Sequence, residues 1–403
     1  MGFYTSASFF IALAALLIPA ACLGLAGRRI KPYGMAASWA MVALLFAGDP
    51  RGLAAFILFL AVASAGAWAV HRSWVREGGS KSLAVYRAAL VATIAPLVVY
   101  KAGAVFDRNL LGFVGISYIT FKAVQVLIEM RDGLIDRLRP LDYLYFLTFF
   151  ATFTSGPIDR SRRFCEDADA RPGRAAYMDM LTRGVMLLLV GAVMQLVLAT
   201  VARGFYDPAS APAGVPTVDA LAPAGAVREV ARAYGYAAYL FFDFAGYSLM
   251  AMGASYCLGI ATPANFRSPY LAVDIKDFWN RWHITLSTWL RDFVFMRFVR
   301  MATKRKLFAN RVQTACAGYL VDMLLMGAWH GLTPDYLAYG AYHGLLLAAT
   351  EVYQKRSAFH KRNRKRGWYR ALSWLVTLQL VIFGFALFSG QVGGLLRAAL
   401  GMP

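Results

Sequence analysis

The stretch ACAGYLVDMLLMGAWHG (315–331) is an apolar run interrupted by one carboxylate, Asp322, and closed by an imidazole, His330. Apolar residues sustained over such a length argue for a membrane-spanning helix. Ionisable groups inside spans are costly, face an interior or a water-filled cavity, and are functional by default. Gly327 and Gly331 flank the histidine and permit a close backbone approach or a break in the helix. A neutral imidazole takes a proton from a hydroxyl as general base and returns it as acid. The plain alternative is a core histidine satisfied by a neighbouring carbonyl.

Working outward, the same apolar pattern recurs along all 403 residues, 59% of them hydrophobic and only 16% charged. A soluble domain carries about a quarter charged residues, whereas the mean hydropathy here is +0.51. Apolar runs near 3–26, 33–48, 52–70, 83–100, 110–129, 178–202, 229–257, 313–330, 335–353 and 370–390 read as spans. The chain is therefore expected to be an all-α polytopic membrane protein with about 10–11 transmembrane helices plus re-entrant or interfacial ones. It reads as one membrane domain in three stretches: N-terminal helices (1–139), a core with re-entrant and interfacial helices (140–310), and C-terminal helices (311–403).

The net charge of +20 is dispersed in short Lys/Arg clusters between spans, at 27–31, 71–76, 131–139, 160–163, 304–306 and 361–366. That placement follows the positive-inside rule and argues against nucleic acid. An outside N-terminus keeps the basic loops on one side only if LDYLYFLTFFATFTSG (141–156) dips into the membrane and returns. The Pro- and Ala-rich loop 207–224 then falls outside and reads as flexible. The four cysteines are scattered, with no metal-type or disulfide-framework spacing.

DIKDFWNRWHITLSTWLRDFVFMRF (274–298) is the densest stretch. Phe278, Trp282, Leu286, Trp289 and Phe293 recur at spacings of three or four, the stripe of a single helix. Asp277 and Arg281 form an i, i+4 pair, while Trp279, His283 and Ser287 share another face. Its polarity predicts a helix at or dipping into the interface. Asp243, a lone carboxylate in an apolar run with Tyr247 and Ser248 a turn further on, is open to three roles: orienting His330, binding substrate, or pairing with Arg281. His343 reads as structural, and His71 and His360 as solvated members of basic loops. No HExxH, paired Cys or carboxylate cluster supports a metal, and no G-x-S-x-G elbow supports a serine hydrolase. An embedded His330 with an interfacial His283 fits acyl transfer to a hydroxyl.

In order, FFDFAGYSLMAMG (241–253), NFRSPY (265–270), FWNRWHITLSTWLRDFVF (278–295), MGAWHG (326–331) and YGAYHG (339–344) together resemble the membrane-bound O-acyltransferase (MBOAT) family. More narrowly they resemble its DltB-type branch, the membrane component of teichoic-acid D-alanylation. The resemblance implies that His330, the histidine of the family's WHG motif, is catalytic, and that His283 of the RWH motif is the second functional position. Asp243, Tyr247, Asn280, Arg281, Trp282, Ser287, Trp329 and His343 are candidate substrate-binding or supporting residues.

The resemblance also implies a ring of helices around a thin core with a tunnel, in a bacterial cytoplasmic membrane. There a D-alanyl thioester on the phosphopantetheine of a small acidic carrier protein meets teichoic acid or a similar envelope glycan, with an extracytoplasmic partner assisting. No cofactor is bound, membrane lipid surrounds the chain, and Lys304, Arg305 and Lys306 offer the carrier a complementary face. The related alginate-acetylating enzymes continue after the RD-[FY] element with an I-P-L-G-G-like segment, where this chain has MRFVRMATKRK (296–306), favouring the D-alanylating branch. Two other readings remain: an acetyl or coenzyme A donor on the same fold, and a transporter or flippase using His330 in a proton relay. No internal repeat supports the transporter.

Overall fold

The computed structural model describes residues 4–76, 78–106, 108–210, 214–215, 217–221 and 225–401, and among these it is helical with no strand. Residues 211–213, 216 and 222–224 of the loop expected to be flexible lie outside the described residues. Among the described residues five helices are long and apolar enough to cross a membrane: Ala7–Leu25, Pro50–Val75, Leu83–Ala104, Arg174–Tyr206 and Gly367–Phe388. The more polar long helices Ala226–Cys257, Arg311–His330 and Pro334–Arg356 begin and end within a few residues of the expected spans. The chain is an all-α, multi-pass membrane protein.

The chain forms two compact units, one of Met1–Val193 with Gly246–Ala264, the other of Met194–Ala245 with Asn265–Pro403. In the first unit, the span expected at 110–129 is corrected: the helix starts only at Ile116, after Gly115 at φ 89°. The left-handed backbone at that glycine ends the preceding loop. Ile116–Arg131 is buried around nearly its whole circumference, which is how it holds Lys122, Gln125 and Glu129 away from lipid.

The segment expected to dip and return forms a nine-residue helix, Pro140–Thr148, then a 3₁₀ turn, Phe150–Thr152. At 1.5 Å per residue that helix rises roughly 14 Å, too little to cross a bilayer. Its end is stabilised by a buried ammonium, because Lys122 Nζ donates to Phe146 O (3.2 Å) and Thr152 Oγ1 (3.0 Å). A cation at a helix C-terminus meets carbonyls that have no helical partner. The rings of Tyr145, Phe149 and Phe164 pack on one another at 5.1–5.6 Å between centroids.

In the second unit, Arg311–His330 and Pro334–Arg356 are antiparallel and joined by a three-residue turn. Gly327 sets how closely they approach: a Cβ there would lie 2.4 Å from Tyr336 O and 3.1 Å from Gly340 Cα. Small residues at such crossings let backbones touch and gain dispersion contact where lipid supplies no hydrophobic drive.

The single interfacial helix expected over 274–298 is not what forms. Asp274 caps a short helix, Ile275–Trp279, accepting from Asp277 N at 2.8 Å. A second helix, Ile284–Leu290, follows, then a π-turn, Arg291–Phe295, and Met296–Lys304. The break falls at His283, whose φ of 43° and ψ of 50° are left-handed. Backbone bonds to the NFR segment replace the helical ladder: Arg267 N donates to Arg281 O (3.0 Å) and Ile284 N to Asn265 O (2.8 Å). A tertiary partner thus outcompetes a helical period that the residues themselves satisfy.

Candidate active site

His330 is the last residue of its helix, with Gly331 extended behind it. The imidazole sits among aromatic rings: Trp329 at 4.5 Å, Phe388 edge-on at 4.8 Å, and Tyr336 near-parallel at 6.1 Å. Gly331 makes room for this, since a Cβ there would lie 2.5 Å from Tyr336 Cδ2. Both glycines flanking His330 therefore serve close packing. Tyr336 and Phe388 also line a cavity of about 600 Å³, so His330 lies against its wall.

The polar part of that cavity was missed in the sequence. Arg232 Nε donates to Tyr206 O (3.2 Å), and Gln391 Nε2 donates to both the backbone O and Oε2 of Glu229 (2.8 Å each). These residues come from three helices, Ala199–Tyr206, Ala226–Cys257 and Gln391–Ala399, and no local motif marks them. The cavity thus combines aromatic lining, Tyr336 and Phe388 that contact His330, with hydrogen-bonding side chains.

His283 is buried. Its Nδ1 lies 3.3 Å from Asn265 Oδ1, and Phe244 meets its ring edge-on at 4.7 Å. Thr285 Oγ1 donates to the same Asn265 oxygen. An amide oxygen only accepts, so in this assignment Nδ1 carries the proton and Nε2 presents a lone pair. That Nε2 is buried with no hydrogen-bond partner among the described residues. Burial first, and then the charge of nearby His330, push the His283 imidazole well below its ordinary value, keeping it neutral. Left-handed backbone at a non-glycine costs about 1–3 kcal/mol and gathers at functional sites. Asn265 and Thr285 are the supporting residues that sequence reasoning overlooked, although NFRSPY had been singled out.

The other candidates separate. Trp282 is buried against Phe278 (5.7 Å, stacked) and Phe385 (4.8 Å). The expected Asp277–Arg281 pair forms at 2.7 Å, which removes Arg281 as the partner of Asp243. Asp243 instead accepts from Gln195 Nε2 at 3.4 Å. Ser287 does not share a face with Trp279 and His283, because the break intervenes and its Oγ donates to Trp282 O (3.1 Å). Asn280 is exposed at the end of Ile275–Trp279. Tyr247, in the first unit, bonds Thr154 Oγ1 and accepts from Ser155 N (3.4 Å), so it holds a turn.

His343 is fully buried inside rings of Tyr339 (4.7 Å), Trp279 (5.2 Å) and Tyr342 (5.3 Å), with neither nitrogen hydrogen-bonded among the described residues. His360 is corrected from a solvated loop residue: its Nδ1 lies 2.9 Å from the Tyr369 hydroxyl. Lys304, Arg305 and Lys306 are exposed at the end of Met296–Lys304.

Comparison with known proteins places the chain among acyltransferases. The teichoic acid D-alanyltransferase of Bacillus subtilis (strain 168) is 38% identical over 399 residues, covering 96% of this chain and 98% of that protein. The teichoic acid D-alanyltransferase of Lacticaseibacillus rhamnosus is 35% identical over 405 residues, 96% of each chain. The probable alginate O-acetylase of Pseudomonas syringae pv. tomato (strain ATCC BAA-871 / DC3000) is 31% identical over 284 residues, 69% of this chain and 49% of that protein. The model of membrane-bound O-acyltransferases matches residues 53–389. Matched over most of its length, this chain belongs to the membrane-bound O-acyltransferase family and is an acyltransferase.

Proposed function

We propose that this acyltransferase moves a D-alanyl group from the phosphopantetheine thioester of a small acidic carrier protein to a hydroxyl of an envelope polymer, teichoic acid or a similar glycan. His330 acts as base in this reading. The observation that carries it is the placement of His330, at a helix end against the wall of a cavity lined by hydrogen-bonding groups. The near end-to-end similarity to D-alanyltransferases supports the choice of acyl group.

The acceptor hydroxyl gives its proton to His330 while its oxygen bonds the thioester carbonyl carbon. As the tetrahedral intermediate collapses, the C–S bond breaks and the thiolate takes the proton back from the imidazolium. The C-terminal end of the helix, with its outward carbonyls, steadies the transient imidazolium. His283 has the part of a substrate-orienting group. Its free Nε2 lone pair accepts a hydrogen bond, from an amide N–H of the pantetheine arm or from the acceptor hydroxyl, and so positions a substrate. Lys304, Arg305 and Lys306 supply the carrier-facing charge, and a partner on the outer side delivers the polymer.

The test is single-turnover discharge of D-alanyl carrier protein by the purified protein in vesicles, run beside acetyl-coenzyme A. Discharge of the carrier thioester by wild type, lost in His330→Ala, is the expected result. Consumption of acetyl-coenzyme A alone would overturn the D-alanyl assignment in favour of acetylation. Retained discharge in His330→Ala would remove His330 as the base.

A further inference from the structure

A second cavity, of about 680 Å³, lies in the same unit and shares no lining residue with the cavity beside His330. Its lining has two kinds of surface. At one end stand Lys355, Arg364 and Arg370, in the chain's most basic stretch. None of the three has a carboxylate partner among the described residues. The carboxylate in the lining, Asp274, is occupied, accepting from Asp277 N (2.8 Å) and Gln354 Nε2 (3.0 Å). Neutral donors sit beside the cations, where the Tyr369 hydroxyl meets His360 Nδ1 (2.9 Å) and donates to the Tyr353 hydroxyl (3.1 Å).

The other end is apolar and belongs to a span. Leu372, Val376 and Leu380 line the cavity at spacings of four along Gly367–Phe388, a stripe that rises roughly 12 Å along the helix. Leu372 is 51% and Val376 49% exposed, so the cavity opens sideways onto the surface that the span presents to hydrocarbon. An enclosed tunnel for a thioester arm has no such open flank. A docked protein would meet the basic end but has no means of entering along the span.

We propose that this cavity binds an anionic phospholipid. Its phosphate diester is held by Lys355, Arg364 and Arg370, and an acyl chain lies along Leu372, Val376 and Leu380. Basic pockets between spans on the cytoplasmic side recognise anionic headgroups in this way, and unpartnered guanidinium forks match phosphate oxygens. The site is independent of the acyl-transfer reading, and its test reads bound lipid, not turnover.

The experiment uses the full chain, stripped of lipid in detergent and returned to vesicles of phosphatidylcholine alone or of equal parts phosphatidylcholine and phosphatidylglycerol. Lipid retained after re-extraction is counted by native mass spectrometry. Wild type is expected to retain phosphatidylglycerol over phosphatidylcholine, and Arg364→Gln with Arg370→Gln to bind it roughly 10–30-fold more weakly. Val376→Trp fills the apolar flank without touching the charges and should reduce retention as well, which guards against a charge variant that merely folds poorly. Equal retention of the two lipids by wild type, or unchanged phosphatidylglycerol binding in the double variant, would overturn the proposal. Displacement of phosphatidylglycerol by coenzyme A would also overturn it, since the cavity would then belong to a phosphopantetheine arm.

Discussion

Two short buried segments, 140–161 of the first unit and 265–290 of the second, are built from similar materials and end differently. Both interrupt the run of long helices, both are rich in aromatic rings, and both bury polar side chains. The charged groups that meet the first segment are answered. Lys122 Nζ is shared between Phe146 O and Thr152, Ser161 Oγ donates to Glu129 Oε2 (2.8 Å), and Arg163 Nε donates to Asp159 Oδ1 (2.8 Å). In the second, His283 Nε2 and Trp279 Nε1 have no hydrogen-bond partner among the described residues, against the Tyr145 hydroxyl alone in the first. Buried polar groups are normally paired, so each exception asks for a reason. A paired network holds backbone in place; in the proposed function the open Nε2 of His283 meets a substrate. That proposal makes the first segment scaffold and the second site.

The contrast breaks most sharply at the histidines. His330→Ala should lower the transfer rate by about a hundred- to ten-thousand-fold, with the thermal unfolding midpoint nearly unchanged. A matching loss of stability would make His330 a packing residue. His283→Asn keeps an amide N–H at the Nδ1 position for Asn265 and removes the Nε2 lone pair. It should reduce carrier discharge by about 10–100-fold by analogy with a lost substrate hydrogen bond to a buried group. Stability should suffer little, because the bond to Asn265 is kept, and the effect should appear in KM as well as kcat.

The scaffold segment should behave in the opposite way. Lys122→Met leaves Phe146 O and Thr152 Oγ1 without their donor, at a cost of about 1–3 kcal/mol in stability. Transfer per folded molecule should be kept; a catalytic defect without destabilisation would erase the distinction between the two segments. Gly327→Ala sharpens the comparison from the site's side. The added methyl meets Tyr336 O and should cost about 1–3 kcal/mol by overpacking, seen as a lower midpoint with reduced transfer, since Tyr336 walls His330. The smallest effect is expected from Lys304→Gln with Lys306→Gln. Exposed charges act mainly on encounter, so carrier KM should rise a few-fold and lose part of its salt dependence.

How far the site was legible differs by residue. His330 stood out because an imidazole at the end of an apolar run has few bland explanations, and Gly327 and Gly331 beside it signalled close packing. His283 was visible as a residue type but wrongly placed on a continuous helix. The stripe Phe278, Trp282, Leu286, Trp289 and Phe293 has a genuine helical period, and only the bonds from Arg267 and Ile284 show that the ladder is broken at His283. Asp243 and Arg281 looked like possible partners, yet each finds another residue, Gln195 and Asp277. Long-range pairing of side chains leaves no periodic trace in a chain.

By itself the sequence determined the class of the molecule: hydrophobic runs of bilayer length admit no other structure than helices, because lipid offers no partner to an open backbone. It raised the expectation of one sidedness from the basic loops and nominated His330 as the base. The tertiary structure alone decided which buried polar groups are satisfied and which are left open. That distinction depends on partners far apart in the chain, such as Asn265 for His283 or Phe146 for Lys122. Burial makes such choices costly, and so it makes them informative.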